Sequence, residues 1–170
     1  MKKAINLAAA AGLALGGAFG LLGTMVTRQP VRAAAWALDS VGLVVATSLL
    51  ALKFFRKGND FVAAGFLVFA IGEGVMLSGT AATLEASAPA FAAGTALWAA
   101  ALLLTSLPDE FAGWIRLAGV VGAVLFTITA ARIFWGEGLL PISSPLPFFA
   151  YPFLVLTFAG WIWTLLQSDS

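Results

Sequence analysis

Three ionisable side chains stand inside long apolar stretches of this 170-residue sequence: Asp39, Glu73 and Arg132. Charges in such surroundings are costly, and they usually face other polar groups or a hydrated space. Glu73 lies between Gly72 and Gly74, which leave room for a ligand, a water or another backbone to approach. Met76, Ser78 and Thr80 continue the same region, and Trp98 falls at a similar depth in the next apolar stretch. Asp39 and Arg132 differ in depth by only a few residues, so a charge-assisted contact is expected between them if their helices are neighbours. This set could bind a proton, a cation or a lipophilic small molecule. Glu73, Asp39, Arg132 and Trp98 therefore form the candidate ligand or proton site. The structural alternative is a neutral Glu73 bonded to a carbonyl or hydroxyl nearby, with Asp39 and Arg132 as a structural bridge. Carboxylate-pair acid–base catalysis is disfavoured. Asp39 and Glu73 fall at different predicted depths, and no nucleophile accompanies them.

Other chemistry is closed by absence. The sequence contains no His and no Cys. Disulfides, thiolate metal sites and Ser-His or Cys-His catalysis are thereby excluded. The usual haem ligand is missing as well. A retinal Schiff base needs a Lys deep in a late helix, and the only internal lysines, Lys53 and Lys57, sit at a helix end. No cofactor, no metal site and no enzymatic activity are expected.

The elements that must position these side chains follow from composition. Hydrophobic residues make up 61% of the chain and charged residues 10%, against about 25% charged in a typical soluble domain. The mean hydropathy is +1.00. Such a chain cannot form a charged, solvated shell, so a soluble globular domain, a disordered chain and a nucleic-acid binder are excluded. The fold class is all-α: a polytopic membrane helix bundle forming a single membrane domain over 1–170, with no soluble domain. Six transmembrane helices are read at about 4–26, 33–55, 61–83, 90–107, 113–135 and 148–166, each near the roughly 20 residues that cross a bilayer. Strands are excluded because no alternating pattern of about ten residues appears. On this register Glu73 lies about 13 residues into its span, near the midplane, and Asp39 about six residues from the start of its own.

Lys2-Lys3 followed by an apolar run resembles a secretory leader, and 33–35 resembles a cleavage site. The run is too long for a leader core, and Arg28 and Arg32 intervene, so the segment is read as a helix of the mature protein. Lys2, Lys3, Lys53, Arg56, Lys57 and Arg116 fall on one side, and Arg28, Arg32 and Arg132 on the other. The positive-inside rule then places both termini in the cytoplasm, and a bacterial inner membrane is the expected location.

Small residues are spaced to let helices approach. Ala8, Gly12, Gly16, Gly20 and Thr24 form a stripe at intervals of four, an extended GxxxG pattern. It predicts tight packing within the bundle. The alternative is a homo-oligomer or membrane-complex interface through Gly12, Gly16 and Gly20. The Pro-rich connection at 136–147 is too apolar for a water-exposed loop and is expected along the interface or over the bundle mouth. Two functions compete at this level. One is a channel, transporter or binding protein centred on Glu73. The other is a non-catalytic structural or assembly subunit of a larger membrane complex.

Overall fold

The computed structural model describes residues 2–167. It contains six α-helices: α1 (Lys2–Met25), α2 (Gln29–Arg56), α3 (Asp60–Gly79), α4 (Ala88–Ser106), α5 (Gly113–Phe134) and α6 (Tyr151–Gln167). A 3₁₀ turn, Phe148–Ala150, precedes α6, and no strand occurs among the described residues. With that turn included in the last one, all six are long and apolar enough to cross a membrane, and the chain is an integral membrane helical bundle.

Two boundaries differ from the sequence reading, each for a local reason. Helix α2 begins at Gln29 rather than near 33, because Pro30 occupies its first turn. Pro costs nothing there, since the N–H it lacks has no helical partner in any case. Helix α3 ends at Gly79 rather than 83. The chain then turns through Thr80 to Ser87, with the Ala86 amide donating to the Thr83 hydroxyl at 3.3 Å.

Two short connections carry their own stop signals. After α2, Gly58 takes a left-handed φ of 75°. The Asn59 amide donates to the Phe54 carbonyl at 3.0 Å, and the Gly58 amide to that of Phe55 at 3.0 Å. Gly136 ends α5 in the same way, with φ of 94° and Glu137 donating to Arg132. This pairing satisfies the last carbonyls of a helix and favours Gly where φ is positive. Asn59 then caps α3 by accepting from the Val62 amide.

Each helix packs on the next in sequence, and α6 returns to α1. The result is a closed ring of six helices in which every neighbouring pair runs antiparallel. Helix α1 meets α2 through glycine. A Cβ on Gly12 would lie 2.6 Å from the Gly42 carbonyl oxygen, so the backbones touch. Gly16 faces Leu43, and Gly20 faces Asp39. The GxxxG stripe is thus used inside the chain. Gly12 and Gly16 are buried in this contact and Gly20 is partly buried. Dispersion between closely approaching backbones drives such packing in lipid.

The ring is filled unevenly. Towards the face that carries α1's start and α6's end, its axis holds Phe54, Phe66, Phe69, Phe111, Phe158 and Trp161. These rings touch, with centroid separations of 4.8 Å for Phe66–Trp161 and 5.6 Å for Phe69–Phe158. Towards the opposite face the ring is hollow.

Candidate functional site

The hollow is an open cavity; the empty space in and before it, open solvent included, is about 940 Å³. Helices α1, α2, α3, α4 and α6 line it, together with the α3–α4 connection and Pro141. Helix α5 contributes nothing. The α2 lining follows from helical spacing: Gln29, Arg32, Trp36, Asp39 and Leu43 recur at intervals of three and four, which is one face. Glu73, Met76 and Gly79 do the same on α3, with Thr80 just past its end, and Tyr151, Leu154 and Phe158 on α6.

Two carboxyls lie in this wall. Glu73 is 0% exposed and Asp39 8%. They come from adjacent helices and are within electrostatic reach of one another. The Ser40 and Trp98 side chains lie beside the Glu73 carboxyl. None of these contacts is a formed hydrogen bond: both Glu73 oxygens, Asp39 Oδ1 and Trp98 Nε1 are buried and unpartnered. Among the described residues, no other buried side-chain nitrogen or oxygen is left so. The buried hydroxyls of Thr47, Thr95, Thr105, Thr129 and Thr157 all donate back to carbonyls of their own helices. Unsatisfied polarity is therefore confined to residues that line one cavity, although the Glu73 oxygens and Asp39 Oδ1 are themselves closed to a water-sized molecule. A buried polar group without a partner costs about 1–3 kcal/mol.

Two close approaches build the site. Gly20 admits the Asp39 carboxyl, since a Cβ there would lie 3.0 Å from Oδ2. Gly72 faces the Gly94 carbonyl and the Trp98 ring, so α3 and α4 cross closely and set the indole beside Glu73. Trp98 is also held by stacking on Phe69, at 5.7 Å between centroids. The mouth is polar in a different way. Arg32 donates to the Val26 carbonyl at 2.7 and 3.0 Å and lies over the Trp36 ring. Tyr151 donates to the Pro141 carbonyl at 2.7 Å, which ties the Pro-rich connection to the cavity rim.

Glu73, Asp39 and Trp98 are thus brought together. Arg132 is not. Its guanidinium pairs with Glu137 at 2.6 Å, and α5 does not touch α2. The expected Asp39–Arg132 bridge is therefore absent. Ring order places α4 and α6, not α2, beside α5. The different depths assigned to Asp39 and Glu73 do not put the two carboxyls out of electrostatic reach of one another. Met76 and Thr80 line the cavity as expected, whereas Ser78 points away and donates to the Val75 carbonyl. Arg32, Trp36, Ser40 and Tyr151 were not singled out from sequence. The three-and-four spacing running back from Asp39 was the signal for the first two.

Among the described residues no group of three or more acidic side chains is placed to hold a metal ion. Comparison with protein-family models, with curated proteins and with solved structures yields no match.

Proposed function

We propose that this chain is a membrane-embedded binding protein that takes a small lipophilic molecule or cation into the cavity against Glu73. One observation supports the reading: the unpartnered buried polar atoms all belong to residues that line one and the same cavity. Unpaired buried carboxyls destabilise a fold, and a site that binds something is where such a cost persists. The wall is otherwise largely apolar, with Phe91, Trp98, Leu154 and Phe158 buried along it, as small-molecule sites usually are. In a bacterial inner membrane, with both termini cytoplasmic, the mouth would open outward.

The absence of cysteine makes the test direct. Ser40 lines the cavity, and Thr129 is equally buried but lies outside it. In proteoliposomes, Ser40→Cys should be modified by the aqueous reagent 2-aminoethyl methanethiosulfonate, and Thr129→Cys should not. An unreactive Ser40→Cys in a folded protein would mean a sealed bundle and would end this reading.

A further inference from the structure

Resting on that reading, we infer that the ligand is a lipophilic monoamine, with its ammonium N–H groups donating to Glu73 and Asp39 and its apolar body extending towards the mouth. Of the four unpartnered atoms one, Trp98 Nε1, is a donor, and three are carboxyl oxygens that only accept when the acids are ionised; what the ionised pair lacks is a donor. Two acidic side chains on adjacent helices select a positive donor over a neutral one. A metal ion fits poorly, because two carboxyls and Ser40 leave most of an inorganic cation's coordination shell empty. An organic ammonium supplies up to three N–H donors, and its carbon substituents suit the remaining wall. Trp98, Phe91, Met76 and Phe158 line that path. Aromatic faces near a cation add further attraction.

The far end of the ligand is constrained by Arg32. It lies seven residues before Asp39 on the same face of α2, roughly 10 Å away along the axis. Its guanidinium is already bound to the Val26 carbonyl and over Trp36. A second positive charge at that distance would meet a like charge beside a low-dielectric wall. The site is therefore built for one cation with an uncharged tail, and against a diamine.

The probe series is 2-phenylethylamine, 2-phenylethanol, phenethyltrimethylammonium and 1,8-diaminooctane. Binding is followed on the intact protein in nanodiscs by tryptophan fluorescence and by protection of Ser40→Cys from the thiol reagent. The expected result is saturable binding of 2-phenylethylamine, at least tenfold tighter than the other three. Glu73→Gln and Asp39→Asn should each weaken it at least tenfold while the alcohol is unaffected. Two variants on different helices keep the test standing if one fails to fold. If the alcohol binds as tightly as the amine, or the quaternary ion does, the amine inference is overturned and the cavity reading survives. If no probe binds although Ser40→Cys is modified, the amine inference again falls alone. If Ser40→Cys is closed to the reagent, both fall.

Discussion

Glu73 is a side chain whose removal should strengthen the fold. Both its oxygens are buried without a partner, and its surroundings are chiefly carbon. Methionine is of similar size and carries no group that demands a hydrogen bond. Glu73→Met should therefore raise the unfolding free energy by about 1–3 kcal/mol, the cost of one unsatisfied buried polar group. Thermal melting in detergent measures this, and a lower melting temperature would show that Glu73 has a structural partner in the folded protein. The same variant should lose binding, as expected where a destabilised group is kept for function. At this scale the sequence was informative. Glu73, Asp39 and Trp98 could be named from residue type and depth, because an acid in an apolar run has few explanations. Arg132 could not be placed, because depth along a helix says nothing about which helices face each other.

Among the elements, what decided the site was where helices begin, end and turn. Pro30 reads as a break in the sequence, yet it lies in the first turn of α2. The glycine stripe of α1 read as packing, and packing is what it provides. Arg132 belongs to an element end too. It closes the last turn of α5 against Glu137, which follows the left-handed Gly136. That hydrogen bond holds the exposed Glu137 carboxyl below the usual carboxylate range. A depressed carboxyl contributes stability above its unfolded value and loses it as pH falls through the folded one. The contact should therefore survive acidification through the ordinary carboxylate range and break only below it. Melting temperature against pH, compared between the native chain and Glu137→Gln, should show a small gap at neutral pH that shrinks as pH falls below the ordinary carboxylate value and is gone below the depressed one. Because the pair is exposed, high salt should shrink the gap. A gap that closes near neutrality, or one that widens in acid, would contradict this assignment.

Seen whole, the ring has two mouths and one barrier. Besides the main cavity, a smaller space of about 320 Å³ opens among Lys53, Lys57, Glu110, Phe66, Phe111 and Trp161. Lys57 and Glu110 pair across it at 3.4 Å, and Asn59 donates to the same carboxylate. Phe66 and Trp161 line this space, and Phe158 lines the other. Between them Phe66, Phe69 and Trp161 are at most 1% exposed, with Phe69 and Trp161 separated by 6.2 Å. Interiors packed to this degree leave no continuous path for water or ions. On the reading proposed above, a protein that holds a molecule from one face, the native chain should not conduct. Proteoliposomes containing the native chain should leak protons and sodium no faster than empty vesicles under an imposed gradient. Phe66→Ala removes the ring that stacks on Phe54 at 5.5 Å and meets Trp161 edge-on. It should cost about 3–5 kcal/mol of stability, typical of a buried Phe→Ala change, so the milder Phe66→Leu is the control for misfolding. Leak should rise in Phe66→Ala, less so in Phe66→Leu, and stay at background in Phe126→Leu, which alters a buried ring that lines neither space. Conduction by the native chain would instead make the aromatic layer a gate that opens, and the two spaces the ends of one pathway.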